Sequence, residues 1–241
     1  MNFGYIVKLF ENHSVCVTGM KGSGKDLLMA NVIEARGGYN CSNVPYNSKT
    51  VPIKLSALDC GGATFKRLSE GVETSWEYPY PYGVDIYISD VGVYMPSQYC
   101  SELNRLYPCL PTFMQLSRQI ANIRVHTNTQ NLGRCWDKIR ELSDCYLYCE
   151  WCKYLPCNIV VQSVIEYDKA SSCQDRVKPC RVRSPSIFQP PEVRENLAMY
   201  HDKFFNTYGT VRRHILVYIN NSTYDTNYFR TLLNVTYKEE D

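Results

Sequence analysis

The sequence lacks both a strong net charge and a long apolar segment. Its 26 lysines and arginines nearly balance 24 acidic residues, which leaves a formal net charge of +2. This balance does not indicate a nucleic-acid or membrane partner, so any such partner has to be inferred from local charge. No apolar run approaches the ~18–20 residues that span a bilayer, and residues 1–14 lack the regions of a signal peptide. We therefore expect a soluble, intracellular chain whose 12 cysteines are mostly reduced.

A glycine-rich loop lies between a predicted strand at 14–19 and a predicted helix at 25–36. It reads GMKGSGKD and matches the phosphate-binding pattern G-x-x-x-x-G-K-[ST], except that Asp26 replaces Ser or Thr. In such a loop backbone N–H groups bind phosphate oxygens, and Lys25 would contact the β- and γ-phosphates. The alternative is a plain strand-to-helix turn. The predicted nucleotide-binding residues are Gly19, Met20, Lys21, Gly22, Ser23, Gly24, Lys25, Asp26 and Leu27.

Two acidic residues are candidates for binding Mg²⁺. Asp26 adds a negative charge beside the phosphates, so we expect nucleotide binding to require the metal. Asp90 ends the apolar run 84–90, where P-loop ATPases place an aspartate that holds Mg²⁺; the alternative is a strand-end turn residue. Val91 follows, although an acid that activates the attacking water is often found there. The pattern predicts ATP binding more directly than ATP hydrolysis.

Three further polar residues are candidates for the γ-phosphate environment. Gln130 ends a predicted strand and is either a γ-phosphate or water contact or an ordinary polar strand end. Arg118 and Arg140 lie on predicted helices at 111–122 and 134–142. They are either solvated charges or phosphate contacts, within one subunit or across a subunit interface.

Strands and helices alternate along much of the chain. Two strands, joined near Pro156, are predicted within 145–169, whereas residues 46–82 predict one short helix at most. This alternation predicts an α/β fold with a mostly parallel sheet flanked by helices on both faces. We predict three segments: a core at 1–170, a basic, proline-rich loop or linker at 171–191, and a helix and strand at 192–241 that complete the domain.

Two local clusters suggest other ligands. Four cysteines are closely spaced: Cys145, Cys149, Cys152 and Cys157. Such spacing can bind zinc, but on a strand Cys149 and Cys152 lie on opposite faces, which favours buried apolar thiols. The basic segments 175–183 and 211–214 are candidates for nucleic-acid phosphate contacts or, equally, solvated loops.

In this order the motifs resemble the Zot-like (zonula occludens toxin-like) N-terminal domain, a group of filamentous-phage assembly and export ATPases within the FtsK–HerA class. The similarity covers roughly residues 10–210. It comprises VCVTGMKGSGKDLLM, the strand ending with Asn43 and Pro45, VDIYISDVGVYMPS, the segment 113–142, and HDKFFNTYGT. Asp26, Val91 and Gln119 depart from the pattern, the last because a histidine is expected after the arginine.

The resemblance implies a P-loop ATPase that uses ATP and Mg²⁺ in phage assembly, DNA packaging or single-stranded DNA export. Lys25, Asp90, Gln130 and Arg118 are its implied catalytic group, and Asp26 and Asp90 its metal ligands. It also implies a homo-oligomeric ring in the host cytoplasm, peripheral at the inner membrane. Implied partners are single-stranded DNA and virion or inner-membrane assembly proteins.

The departures leave a second interpretation open. It is a weakly hydrolysing or non-hydrolysing nucleotide-dependent scaffold that acts through protein contacts in virion morphogenesis. A small-molecule kinase is disfavoured because the sequence shows no acceptor-site motif.

Overall fold

The computed structural model describes residues 3–151 and the strands at 159–167, 177–179 and 213–218. Its helices are α1 (Phe3–Asn12), α2 (Lys25–Arg36), α3 (Leu55–Ser69), α4 (Val91–Tyr94), α5 (Cys100–Leu106), α6 (Leu110–Ala121) and α7 (Asp137–Arg140). Short 3₁₀ helices lie at Ser97–Tyr99 and Leu132–Arg134. The strands are β1 (Val15–Thr18), β2 (Asn40–Ser42), β3 (Thr50–Pro52), β4 (Ile86–Ile88), β5 (Val125–Thr129), β6 (Cys145–Trp151), β7 (Ile159–Tyr167), β8 (Val177–Pro179) and β9 (Arg213–Tyr218).

The described strands form one nine-stranded sheet. Six of them are parallel, in the order β3-β2-β4-β5-β1-β6. Strand β7 pairs antiparallel with β6, and both β8 and β9 pair antiparallel with β7. The central strand β1 aligns Cys16 with Thr127 of β5 and Tyr146 of β6. The predicted mostly parallel α/β sheet is confirmed.

Helices cover both faces of the sheet, as predicted. Side chains alternate along each strand, so Ile86 and Ile88 of β4 face one side and Tyr87 the other. Tyr87 packs in the cluster that contains the apolar residues of α1 and α2. Ile86 and Ile88 pack in a second cluster, with Leu58 of α3 and Phe113 of α6. Each face therefore has its own apolar core.

Helix α3 is longer than the single short helix expected in this region. Gly61 and Gly62 lie inside it and suggest a break in the sequence, because glycine weakens helix interiors. In the structure they permit close packing instead. A Cβ on Gly62 would lie 2.0 Å from the Cys109 carbonyl oxygen, and one on Gly61 would lie 2.7 Å from the Trp76 ring. Contact of α3 with the start of α6 explains Gly62, and contact with the Trp76 ring explains Gly61.

The helix predicted at 134–142 is wrong in length. Only Asp137–Arg140 is α-helical, because the preceding residues are held in an extended conformation. Cys135 forms an antiparallel bridge with Pro96, and the Trp136 N–H donates to the Met95 carbonyl at 2.9 Å. The Trp136 side chain is fully buried, which anchors this connection in the core.

Several described elements were not predicted: α1, α4, α5, the two 3₁₀ helices, β3, and β8, which lies within the predicted loop. Helix α1 packs on the sheet through Ile6 and Phe10, which are fully buried and four residues apart on one helical face. Strand β3 adds a short parallel edge beside β2, with Thr50 opposite Asn40. The helical spacing of α1 was readable, whereas three residues ending in Pro52 carry little strand signal.

Helix α2 is tied to the sheet at its carboxyl end by Asp85, which is buried just before β4. Asp85 pairs with the Arg36 guanidinium and accepts the Arg124 N–H at 2.8 Å. The Val15 N–H donates to His126 Nδ1, so Nε2 of His126 carries the proton that faces Asp85 at 3.4 Å. Burial lowers the pKa of His126, which keeps it neutral.

The region after β6 is described only in part. The predicted pair of strands is confirmed, since β6 aligns Cys145 with Glu166 of β7 and Trp151 with Val160. Strand β9 joins the same sheet. The helix predicted near 191–209 and most of the loop at 171–191 lie outside the described residues, so those domain boundaries stay predictions. Among the described helices, none is long and apolar enough to cross a membrane.

Candidate functional site

The glycine-rich loop follows β1 at the carboxyl edge of the parallel strands. From β1 the chain leads through α2 to β2 on one side, whereas from β5 it crosses over β1 to β6 on the other. In open α/β sheets ligands bind outside the carboxyl ends of the strands where the order reverses in this way. The loop therefore stands at the position that the topology favours for a ligand.

Glycine is required at both ends of the loop. A Cβ on Gly19 would lie 2.2 Å from the Cys149 carbonyl oxygen of β6, so the loop packs directly on the neighbouring strand. Gly24 precedes α2 in the left-handed conformation, with φ 84° and ψ 18°. A side chain is strained in that conformation. The sequence pattern thus reflects a close backbone approach and a left-handed turn.

Lys25 is buried, with 5% of its surface exposed, and its ammonium group lies over the loop. Nζ donates to the Gly19 carbonyl at 3.1 Å and to the Met20 carbonyl at 2.9 Å. Among the described residues no carboxylate forms an ion pair with it. A buried cation without a counter-charge is costly, so this position favours an anionic ligand.

The amino end of α2 offers further groups for an anion. None of the described side chains caps this end, which leaves backbone N–H groups of its first turn available. The helix dipole adds positive potential at the same place. Ser23 Oγ, also in the loop, is buried and has no hydrogen-bond partner among the described residues. Loop, lysine and helix end, residues 19–25, are together called the cradle, and their groups suit an anion such as phosphate.

Asp26 lies next to the cradle in a network of neutral donors. Its Oδ1 accepts hydrogen bonds from Tyr46 Oη at 3.0 Å, Ser89 Oγ at 2.5 Å and Asn128 Nδ2 at 2.7 Å. None of the described residues donates a hydrogen bond to Oδ2 or forms an ion pair with Asp26. The carboxylate is thus held in one orientation while its charge is not balanced by any described cation.

Asn43 ties the ends of two strands together at this edge. Its Nδ2 donates to the Ser89 carbonyl at 2.9 Å, and its Oδ1 accepts the Ser89 N–H at 2.8 Å. Asn43 follows β2 and Ser89 follows β4, so the reciprocal pair fixes the position of the Ser89 hydroxyl beside Asp26. This residue belongs to the Asn-x-Pro feature of the sequence resemblance, and its structural role is to position Ser89.

Asp90 follows Ser89 and is brought to the same edge. Its N–H donates to Asn128 Oδ1 at 2.7 Å, and its backbone is left-handed, with φ 44°. Burial, reinforced by the charge of Asp26, raises the pKa of Asp90, while Lys25 acts in the opposite direction. The next residue, Val91, is buried in the apolar core. The two predicted metal residues therefore share one electrostatic environment.

The other predicted residues divide between the two edges of the sheet. Gln130 follows β5 directly, at the edge of the cradle, and its side chain is exposed. Arg118 instead lines a surface cavity with Ser14 and Asp144, which precede β1 and β6. Since β1 rises ~3.3 Å per residue, that edge is about 15 Å from the loop.

The arginines therefore do not contact the cradle of their own chain. Arg118 is too far from the cradle to contact a phosphate bound in the same subunit, which corrects that expectation. A contact across a subunit interface stays a prediction. Arg140 lies on α7, where its guanidinium is near Glu141 at 3.8 Å and its carbonyl accepts the Tyr146 hydroxyl. No described hydrogen bond or ion pair joins Arg140 to the loop.

Tyr46, Ser89 and Asn128 are the site residues that the sequence reasoning missed. They are 20, 63 and 102 residues from Asp26 along the chain. A signal did exist for two of them, because polar residues at the ends of parallel strands meet at one edge. Ser89 directly follows β4, and Asn128 is the last but one residue of β5.

The donor set suits a hard cation. Mg²⁺ prefers oxygen ligands and is usually bound by one or two carboxylates together with substrate phosphates. Asp26 and Asp90 supply such carboxylates, and Ser89 a hydroxyl, beside the cradle. Among the described residues no three His, Cys, Asp or Glu side chains cluster as a self-contained metal site. The residues thus fit a cation that arrives with a phosphate ligand.

The cysteine cluster is described only for Cys145 and Cys149, which are both buried on β6. Cys149 Sγ donates to the Ser23 carbonyl at 3.0 Å, which links β6 to the cradle. Cys152 and Cys157 lie outside the described residues, as do most of the basic segments at 175–183 and 211–214. A buried, packed role is therefore observed for Cys149.

No family model matches the sequence, and no curated protein matches it. Among solved structures, the chain is similar to the N-terminal domain of zonular occludens toxin from Neisseria meningitidis. The identity is 12% and the TM-score 0.39, over 88% of this chain and 98% of that chain. It is also similar to the genome packaging NTPase B204 from Sulfolobus turreted icosahedral virus 2, solved in complex with sulfate. There the identity is 14% and the TM-score 0.35, over 57% of this chain and 74% of that chain.

The zonula occludens toxin domain that the motifs resemble is thus among the solved structures that align with the chain. The fold itself is established by the sheet order, the loop after β1 and the helix that follows it. These features are those of an α/β P-loop NTPase fold, as predicted.

Proposed function

We propose that the chain is a nucleotide-binding P-loop ATPase that acts in phage assembly, DNA packaging or single-stranded DNA export. The observation that carries the nucleotide site is Lys25, a buried cation whose described partners are two backbone carbonyls. A phosphate group would give that charge a counter-ion and would meet the uncapped amino end of α2 at the same time. Residues 19–27 form the binding segment.

The carboxylates beside the cradle give the site its metal chemistry. Mg²⁺ held there would supply positive charge to offset the negative charge of the phosphates during phosphoryl transfer. Asp26 and Asp90 are the residues that would hold it. Tyr46, Ser89 and Asn128 orient Asp26 through its Oδ1, so the protein positions this oxygen set before any ligand arrives.

Hydrolysis requires a group that orients a water molecule. Gln130, exposed at the end of β5, and Asp90 are the candidates at this edge. Burial raises the pKa of Asp90, which makes its ionised carboxylate a stronger acceptor for a proton from water. We propose that these two residues, with Lys25, form the part of the catalytic group supplied within one subunit.

A second candidate function is a nucleotide-dependent scaffold that hydrolyses ATP slowly or not at all. The observation that favours it is Val91, which is buried in the core where an additional acid is often present. Such a protein would bind ATP or ADP through the same cradle. Its action in virion morphogenesis would depend on protein contacts.

The biological setting rests on the motif resemblance. We propose a homo-oligomeric ring in the host cytoplasm, peripheral at the inner membrane, with single-stranded DNA and virion or inner-membrane assembly proteins as partners. The position of Arg118 at the far edge of the sheet is compatible with a contact to a neighbouring subunit's nucleotide. The segments 171–191 and 192–241 are proposed as a linker and as the part that completes the domain.

The test compares Lys25→Ala with Lys66→Ala, a matched substitution of an exposed lysine on α3. Removing Lys25 deletes a charge-assisted phosphate contact of about 1.5–3 kcal/mol, so ATP affinity should fall at least about tenfold. The measurement is ATP binding and turnover, with and without Mg²⁺ and single-stranded DNA. Lys66→Ala should match the parent. Equal affinity of all three proteins, or none in the parent, would contradict the nucleotide site.

The same assay separates the two candidates. Turnover in the parent that is lost in Lys25→Ala supports the ATPase. Binding without turnover supports the scaffold.

A further inference from the structure

We infer that Asp26 and Ser89 form the hydroxyl–carboxylate pair of a P-loop magnesium site with their side-chain types exchanged. This inference rests on the proposed nucleotide function and adds the arrangement of its metal residues. In P-loop NTPases the first turn of the helix supplies a Ser or Thr hydroxyl and the second strand supplies an aspartate. Here the helix supplies the carboxylate and the strand end supplies the hydroxyl.

The pair is in direct contact. Ser89 Oγ donates to Asp26 Oδ1 at 2.5 Å, which joins the first turn of α2 to the residue directly after β4. Asp26 follows the loop lysine, so it stands at the hydroxyl position of the loop pattern. Ser89 is buried, and the Asn43 side chain hydrogen-bonds both its N–H and its carbonyl oxygen. Exchange of the two residue types keeps the hydrogen bond and reverses its direction.

The remaining contacts leave one carboxylate oxygen for a cation. Tyr46 and Asn128 donate to the same Oδ1 that Ser89 contacts. Oδ2 receives no hydrogen bond from any described residue. The three donors are neutral, so they orient the carboxylate without balancing its charge. Ser89 is thus a positioning residue, and Asp26 is the carboxylate that serves the metal.

The exchange also changes the assignment of Asp90. If Ser89 is the strand member of the pair, Asp90 is the acid that follows it, and the acid that seemed to be missing at Val91 is present one residue earlier. The Asp90 carboxylate has no hydrogen bond or ion pair to any described residue, whereas its N–H is held by Asn128. We therefore assign water orientation to Asp90 and metal binding to Asp26.

An exchanged pair has a measurable consequence for metal dependence. In either arrangement the single carboxylate of the pair lies beside the cradle, where it repels a nucleotide that lacks Mg²⁺. Mg²⁺ removes this repulsion. The ratio of nucleotide Kd in chelator to Kd in Mg²⁺ should therefore be about tenfold or more in the parent.

The experiment is a swap. Asp26→Ser, Ser89→Asp and the Asp26→Ser/Ser89→Asp double variant are compared with the parent by fluorescent-ADP affinity, in Mg²⁺ and in chelator, and by thermal unfolding. Asp26→Ser leaves two hydroxyls, so the Mg²⁺ ratio should fall to within about threefold. Ser89→Asp places two carboxylates together, so its Tm should fall in chelator and rise with Mg²⁺. The double variant should recover the ratio to about tenfold and the Tm to within ~2 °C of the parent.

A milder pair keeps the test decisive if a carboxylate variant fails to fold. Ser89→Thr retains the hydroxyl and should keep the Mg²⁺ ratio, whereas Ser89→Ala should lower it at least about threefold. Three results would overturn the exchange and leave nucleotide binding intact. They are ADP binding by the parent without a Mg²⁺ effect, a double variant with no higher Mg²⁺ ratio than Asp26→Ser, and equal ratios for Ser89→Thr and Ser89→Ala. No ADP binding by the parent would overturn both.

Discussion

Two aspartates, at opposite ends of the parallel strands, differ in the charge of the groups that contact them. Asp85 is buried among Arg36, Arg124 and His126, and its charge is balanced inside the protein. Asp26 accepts three hydrogen bonds from neutral groups and has no ion pair among the described residues. Asp26 belongs to the first turn of α2, whereas Asp85 contacts Arg36 at the carboxyl end of the same helix.

The difference shows what each carboxylate is for. A buried charge that is paired and hydrogen-bonded within the chain stabilises one arrangement of the fold. A carboxylate that is oriented but not neutralised is ready for a cation from outside. We therefore interpret the end of the strands with Asp85 as structural, and we propose that the end with Asp26 is the functional one.

The largest expected effect contrasts the two aspartates directly. Asp85→Asn should lower the free energy of unfolding by about 3 kcal/mol or more, because it leaves the mostly buried Arg36 guanidinium unpaired. Asp26→Asn should change it by about 1 kcal/mol or less, because an amide oxygen still accepts at Oδ1 and no cation loses a partner. Urea unfolding at neutral pH without nucleotide measures both.

Asp137→Asn is the matched control, since Asp137 is exposed and its side chain accepts only the neighbouring Lys138 N–H. It should behave as the parent does. Equal losses for Asp85→Asn and Asp26→Asn would remove the distinction between the two edges.

Acid pH should reveal Asp85 with a smaller effect. Burial opposes its ionisation, but the hydrogen bond from His126 and the Arg36 guanidinium outweigh burial and lower its pKa. A lowered folded pKa stabilises the fold above the unfolded pKa of about 3.9, and this stabilisation is lost as pH falls through the folded pKa. The stability difference between the parent and Asp85→Asn should therefore be constant above about pH 5 and shrink below about pH 4.

The measurement is urea unfolding of both proteins between about pH 3 and 7. His126, whose pKa is also lowered, adds a loss of stability that begins below about pH 6.5. Because Asp85 itself favours the charged form of His126, this loss extends to lower pH in Asp85→Asn. The two proteins are therefore also compared in a His126→Gln background, where the difference below about pH 4 is due to Asp85 alone. A difference that grows as pH falls would contradict the assigned ion pair.

The cradle could be predicted because its residues are consecutive. Gly24 meets a local need for a left-handed turn and Lys25 follows it directly, so a short pattern flanked by a strand and a helix was sufficient. The contact of Gly19 with Cys149 was not needed to recognise the pattern. The sheet class followed from alternating strands and helices for the same reason. The length of α3 could not be predicted, because Gly61 and Gly62 suggest a helix break in the sequence. In the structure they allow close packing against Trp76 and Cys109.

The polar network was not predictable in this way. Its members come from separate strands, and only the sheet order brings Ser89 and Asn128 to Asp26. In the sequence, Asp26 is a departure from the phosphate-binding pattern. In the structure, it forms a hydroxyl–carboxylate pair with Ser89. Arg118 was a candidate for either a solvated charge or a phosphate contact, and α6 carries it to the amino ends of the strands.

The measurement that tests the central claim most directly is the Mg²⁺ dependence of ATP binding by the unmodified protein. Calorimetric titration with ATP in Mg²⁺ and in chelator compares an Asp26 carboxylate whose charge is balanced with one whose charge is not. We expect affinity about tenfold or more higher with Mg²⁺. Equally tight binding of ATP in chelator would contradict the claim that Asp26 is a carboxylate set aside for a metal.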